Sequence, residues 1–338
     1  MITLFAIPKP FRGHTGVIQR NAIESWTRLR PICQIVLLGN DDGTSETAKE
    51  FEAEHIPHVG RNEFGTPLLD SAFAAAEHVA TNNLLCYVNA DIVFMSDFMT
   101  AVTRLAGQLS PFLMIGQRWD VNIAGPLDFD QPDWEDRLRC YVSSHAMVRN
   151  SNGSDFFVFT RGLWQVPPPF AVGRFWWEYA LVARARALGA AVVDASTSVM
   201  AVHQTHDYSH FPEGRADVWG PEARRNYALA GGHERLYAIG DATHILTPMG
   251  LSRETPSRLQ AKRSYYANRV LAEIGMAHYV AADIKAAWRA WSKAVRQNPS
   301  VLTPSLLLLM AKSLLGPRLL SWSRRLRRRH RPQVTTPS

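Results

Sequence analysis

Cysteine is scarce in this chain and falls into no pattern. Cys33, Cys86 and Cys140 are an odd number, widely spaced, with no Cys-X-X-Cys pair. That speaks against a disulfide framework and against a cysteine-based zinc knuckle. Two of the three sit in apolar, strand-like runs, where a thiol behaves as a small hydrophobe, and a reducing cytoplasm is the expected compartment. Long apolar runs are missing as well: none approaches the roughly 20 residues that span a bilayer. The start, MITLFAIPKPF, has no basic leader or small-residue cleavage site and is expected to be a first strand rather than a signal peptide. No Gly-X-Gly-X-X-Gly follows a strand, which argues against a dinucleotide-dependent dehydrogenase. Excess negative charge is absent too. The net charge is +7, but Arg324, Arg325, Arg327, Arg328, Arg329 and Arg331 crowd the C-terminus, and without these six the body is at +1. The basicity belongs to a tail, and no interleaved stacking motif makes nucleic acid the expected partner.

What is present is a large apolar fraction, 46% of 338 residues, enough for one large or two modest cores. Strand-like and helix-like segments alternate through the first half. ITLFAI (2–7), CQIVLLG (33–39), a short IPHVG and LLCYVNADIVF (84–94) read as strands. GVIQRNAIESWTRL (16–29), TAKEFEAEH and PLLDSAFAAAEHVA (67–80) read as helices between them. Continuous β-branched and leucine runs mark strands buried on both faces. This βαβαβ rhythm predicts a parallel sheet with right-handed crossovers and helices on both faces. Further strands are expected at 112–119, 155–160 and in AVVDA and SVMAVHQ, with a helix over 176–190. Beyond residue 245 the texture is helical. The expected organisation is an α/β catalytic domain over 1–245 and a helical extension with a basic tail over 246–338.

Open parallel sheets bind ligands beyond the carboxyl ends of their strands. Three polar clusters fall at such ends: Pro8-Lys9-Pro10, Asn40-Asp41-Asp42-Gly43 and Asn89-Ala90-Asp91. A lone Asp-Asp-Gly is more often a plain turn, but three clusters on one sheet edge point to a site. LGNDDGTSETAKEF, CYVNADIVF and WWEYALVARARALGAAVVDA, in that order, resemble the GT-A-fold nucleotide-sugar glycosyltransferases, above all their inverting, family-2-like bacterial branch. The resemblance covers about residues 1–245. It implies a Rossmann-like, mostly parallel sheet and transfer of a sugar from a nucleotide-diphosphate donor to a glycan or lipid-linked acceptor of the cell envelope.

The resemblance also implies roles. Asp41 matches the acid that contacts the nucleotide base. Asp91 matches the last acid of an Asp-X-Asp metal motif, holding Mn²⁺ or Mg²⁺ against the diphosphate, and His203 or His206 is expected to return to that ion. Asn89 departs from the motif's first acid and is expected to offer an amide oxygen or hold a metal-bound water, with Ala90 beside the donor. Glu178, at a helix start, is implied as the base, although the helix dipole alone favours an acid there. Asp155 is the competing acid and is expected to orient a sugar. Arg118 and Asp120 are candidate linings of the donor pocket. Pro8, Lys9, Asn62 and Thr66 are expected near the nucleotide and diphosphate. His203, His206, Asp207 and His210 could instead form a zinc site or be ordinary loop histidines.

Two rivals stay open. A nucleotidyltransferase shares the sheet architecture, but AIPKPFRGHTG lacks its glycine-rich loop. A non-catalytic homologue would explain Asn89. The C-terminal run Leu306–Met310, followed by Leu314, Leu315, Leu319, Leu320, Trp322 and the arginines, reads as a helix on an anionic membrane surface or as a packed helix with a basic tail. The first alternative would place the protein on the inner face of the membrane.

Overall fold

The computed structural model describes residues 1–148, 154–206, 220–280 and 282–314. In chain order the elements are β1 (Ile2–Ala6), α1 (Gly13–Thr27), β2 (Gln34–Leu38), α2 (Thr44–Glu50), β3 (Glu54–Ile56), α3 (Leu69–Val79), β4 (Leu84–Val88) and β5 (Ile92–Val93). There follow α4 (Ser96–Ala106), β6 (Phe112–Ile115), β7 (Arg118–Val121), α5 (Trp134–His145), β8 (Met147–Val148), β9 (Phe156–Thr160), α6 (Trp177–Ala187), β10 (Ala191–Asp194) and β11 (Ala201–Gln204). The last are α7 (Pro221–Ala230), β12 (His244–Thr247), β13 (Gly250–Arg253), α8 (Pro256–Val280), α9 (Ile284–Gln297) and α10 (Pro304–Leu314).

Nine strands form one sheet in the order β13-β12-β10-β6-β9-β4-β1-β2-β3. It is the mixed α/β architecture that the alternation predicts, with two departures from an all-parallel sheet. β9 runs antiparallel between β4 and β6, and β13 turns back on β12. A strand buried on both faces, as FFVF is, reads the same in either direction, so its composition could not reveal its polarity.

Alternation along the strands separates two cores. Leu4, Cys86 and Val158 face one side, with Ala22 and Trp26 of α1 and Phe98 and Val102 of α4. Phe5, Tyr87 and Phe159 face the other, where they meet Phe73 of α3 edge-on, and Tyr87 also meets Trp177 of α6. Edge-to-face pairs of this kind add about 0.5–1.5 kcal/mol each beyond burial.

The strands expected at 84–94 and 112–119 each break in two. Their second halves, β5 and β7, leave the large sheet and join β11 and β8 in a separate sheet ordered β5-β11-β7-β8. One face of this small sheet is apolar: Val93, Val121 and Val202 pack with Leu138 and Val142 of α5. The other face is polar and builds the site.

The chain divides into two compact units, Met1–Tyr266 and a second beginning at Ala267. The boundary expected at 245 would cut β12, which pairs with β10 inside the large sheet, Val193 opposite His244. Among the described residues no helix is long and apolar enough to cross a membrane.

Candidate active site

β1, β2 and β4 are parallel neighbours, with Phe5 opposite both Val36 and Tyr87. Lys9, Asp41 and Asp91 therefore leave the sheet at one edge. β9 runs the other way, so its entry residue Asp155 reaches the same edge, where its carbonyl accepts from the Asn89 amide N–H at 2.9 Å. β6 is antiparallel to β9 and so parallel again to β4, which brings Arg118 and Asp120 there too.

In the small sheet β11 lies parallel to β7, with Ala201 opposite Arg118 and His203 opposite Asp120. Period-two alternation puts Arg118, Asp120 and His203 on one face. A chain of contacts follows. The Tyr87 hydroxyl donates to Asn89 Oδ1 at 3.3 Å, and Asn89 Nδ2 donates to Asp155 Oδ1 at 2.7 Å. Arg118, with its side chain 9% exposed, lies 2.8 Å from Asp155 Oδ2 and 2.8 Å from Asp120 Oδ1. Asp120 Oδ1 in turn lies 2.8 Å from His203 Nδ1. The other edge of the ring completes the path: His203 Nε2 is 3.7 Å, and His206 Nε2 3.2 Å, from Asp91 Oδ2.

The charges here shape one another. Burial opposes ionisation of Asp91, but His203, His206 and Lys9 hold its carboxyl well below the usual carboxylate range. Burial likewise opposes protonation of His203, and Asp91 and Asp120 outweigh it and raise its pKa. Burial pushes the Lys9 ammonium down, partly offset by Asp91. Burial, then the carboxylates of Glu178, Asp155 and Asp91, push the Tyr87 phenol up, so it stays a neutral donor beneath the site.

Asp91, His203 and His206 bring one ligand atom each to within 4.8 Å of one another. Among the described residues Asp91 Oδ1 is buried without a hydrogen-bond partner, a cost of about 1–3 kcal/mol for a group left unsatisfied. One carboxylate and two imidazoles are a suitable donor set for a divalent ion such as Mn²⁺, and Asp120 behind His203 is the outer carboxylate that metal-binding histidines usually have. Asp207, Tyr208 and His210 of the same cluster lie outside the described residues. Asn89, expected to offer an amide oxygen or hold a metal-bound water, accepts from Tyr87 and donates to Asp155 through the two ends of its amide.

The second half of the edge is built from loops. Gly43, at φ +81° before α2, sits so close to Phe11 that an added Cβ would lie 2.8 Å from Phe11 Cβ; only glycine turns the Asp41-Asp42 loop tightly there. Asp41 pairs with Arg61 at 2.8 Å, and Arg61 also donates to the Gly65 carbonyl. Asn62 Oδ1 accepts from the N–H groups of Phe64 and Thr66, and its amide donates to Glu222 Oε1 at 2.6 Å. Arg174 joins Glu222 to Thr66, at 2.8 and 3.3 Å. Glu222 was missed in the sequence. The signal was there: Pro221 at a first helical position and Gly231 just past the end bracket α7. Lys9 is placed by Gln19, whose side chain exchanges hydrogen bonds with both the N–H and the carbonyl of Lys9. Pro8 is buried beside it.

Glu178 is the second residue of α6, in the electropositive first turn. The residue before the helix, Trp176, holds φ +91°, a left-handed backbone that costs a non-glycine residue about 1–3 kcal/mol. Its ring, 2% exposed and packed near Tyr179 and Tyr227, fixes that turn and so the direction of Glu178. Glu178 lies beside Ile115, Ser154 and Phe157.

No protein-family profile matches the chain, and no curated protein sequence does. Among solved structures the chain is similar to a mannosyltransferase from Pyrobaculum calidifontis in complex with GDP-Man and Mn²⁺. That match is at 13% identity over 95% of this chain and 82% of that one, TM-score 0.47. It is also similar to glucosyl-3-phosphoglycerate synthase from M. tuberculosis, at 14% identity over 69% and 81%, TM-score 0.43. A third similar structure is TarS from S. aureus, at 10% identity over 89% of this chain and 53% of that one, TM-score 0.42.

Proposed function

We propose that this chain is a metal-assisted glycosyltransferase that moves a hexose from a nucleotide-diphosphate donor to a glycan or lipid-linked acceptor, with inversion. The observation that carries this reading is the Asp91–His203–His206 group at the sheet edge that β1, β2 and β4 share with the Asp41 loop, with Glu178 close enough to act on the same Tyr87 phenol as Asp155 and Asp91. A divalent ion held by Asp91, His203 and His206 would supply Lewis-acid stabilisation of the leaving diphosphate. Asp41 and the Asn62–Thr66 turn bind the nucleoside end, and Lys9 lies on the diphosphate side of them, close enough to Asp91 to lower its carboxyl pKa.

Glu178 is the better base for the acceptor hydroxyl than Asp155. Both Asp155 oxygens are engaged, one by Asn89 and one by Arg118, so an acceptor hydroxyl would have to displace one of these partners. Asp155 instead keeps Asn89 and Arg118 in place.

Titration calorimetry with UDP and GDP, with Mn²⁺ or Mg²⁺ present, tests the reading. Binding in the range of roughly 1 μM to 1 mM is expected. Asp91→Asn should remove metal-dependent binding while the chain stays folded. Glu178→Gln should keep donor binding and lower turnover by about 10²–10⁴. If no nucleoside diphosphate binds with either ion, the transferase reading is lost.

A further inference from the structure

The second unit carries two exposed stripes that the proposed chemistry does not use. α10 is apolar on both sides. Leu306, Leu309 and Met310 pack against Trp291 and Ala287 of α9, and the Trp288 indole donates to Ser313 at 2.8 Å. The opposite side, spaced at one helical turn, is Pro304, Leu307, Leu308, Ala311 and Leu314, all exposed. Leu307 is 50%, Leu308 55% and Leu314 72% exposed. A contiguous leucine stripe in water is uncommon on a soluble surface and marks an interaction site.

α9 has the complementary feature. It buries Ala286, Ala287, Ala290, Trp291 and Ala294 and turns Lys285, Arg289, Lys293 and Arg296 outward, with no acid anywhere in the helix. Four cations in steps of three and four residues form a single basic stripe. The sequence adds six arginines between Arg324 and Arg331, just beyond α10 and outside the described residues.

We infer that the second unit docks on an anionic lipid surface, the α10 leucines entering the acyl boundary and the α9 cations meeting the headgroups. Exposed leucines on one helix and an acid-free basic face on its packed neighbour are the chemistry of an interfacial unit. A nucleic acid would use the cations and leave the leucines in water, whereas a second copy of this basic unit would set like charges against each other. The inference is independent of the transfer reaction.

Vesicle flotation of the full chain tests it, using phosphatidylcholine with and without about 30% phosphatidylglycerol, since anionic lipid attracts each nearby cation. The chain should float only with the anionic vesicles, and less as salt is raised, because exposed charges are screened within about 8–10 Å at ordinary ionic strength. Replacing Leu307, Leu308 and Leu314 together by Gln should lower partitioning at least about tenfold at low salt. Lys285→Glu with Arg289→Glu should do the same. Leu308→Gln alone serves if the triple variant loses its thermal transition. Mn²⁺ binding by these variants should match the parent, which separates failure of docking from failure of the site.

Three outcomes would overturn the inference: no flotation, flotation that ignores the leucine substitutions, or a leucine-dependent dimer in lipid-free sedimentation. Tighter retention of an RNA oligomer, unaffected by the leucine changes, would assign the basic stripe to nucleic acid instead.

Discussion

The two halves of the candidate site are built on different principles. Around Asp91 the functional groups sit on strands or within two or three residues of a strand end, and a buried cation, Arg118, holds two acids at 2.8 Å each. Around Asp41 they ride on loops, and the matching ion pair, Arg61 with Asp41, has side chains 36% and 28% exposed. Buried pairs are costly to break because the abandoned charge cannot reach water, while exposed pairs are worth about 0–1 kcal/mol. The first half is therefore preorganised, and the second can adjust to a ligand. That division suits the donor proposed above, whose reacting end must be fixed and whose nucleoside end needs only to be gripped.

Removing the cation from each half sharpens the contrast. Arg118→Met removes the buried guanidinium that both Asp155 and Asp120 contact. It should cost about 3–5 kcal/mol in urea unfolding, and an unfolding free energy like that of the parent chain would refute the preorganised reading. Asn89→Asp should come next. The new carboxylate would face Asp155 Oδ1 across the present 2.7 Å contact, so a loss of about 1–3 kcal/mol is expected with no gain in Mn²⁺ affinity. A tighter metal site in this variant would show that position 89 is a ligand after all.

A smaller effect is expected from pH. Burial opposes ionisation of Glu222, but Asn62, Thr66 and Arg174 hold its carboxyl below the usual value. A lowered folded pKa means stability that is fully present above the unfolded value of about 4.3 and lost as pH falls through the folded one. Glu222→Gln should therefore flatten the acid limb of the stability curve, and melting curves from pH 3 to 7 would show it. Smallest of all, Arg61→Met should change stability by at most about 1 kcal/mol, although nucleotide affinity should fall if Asp41 needs Arg61 to hold its loop.

The same contrast explains what could be read from the sequence. Asp91 stood out because an acid interrupts an apolar strand, and Asp41 because Asp-Asp-Gly follows one; both signals are local. The α/β alternation was legible for the same reason. Arg118 and Asp120 were visible as residues, but their tie to His203 required β7 to pair with β11, a contact between distant segments that no local pattern encodes. The split of each expected long strand into two, and the reversed β9, were hidden for the same reason. Asn89 looked like a weakened ligand because its partner Asp155 arrives from a strand whose direction composition does not reveal.

The buried hydrogen bond from Asn21 to Gln204, 2.8 Å long and spanning 183 residues, has a consequence for synthesis. Gln204 also donates to the Ile18 carbonyl, so the end of β11 is fastened to the first helix. Closing so long a loop is slow, since its entropy is lost before any contact repays it. A nascent chain can complete the early βαβ units and present Asp41 and Asp91 while still lacking both imidazoles. Until the segment around residue 206 leaves the ribosome, the growing protein has the Asp41 loop but not His203 and His206, so premature termination upstream yields a chain with one of the three residues of the candidate ion group.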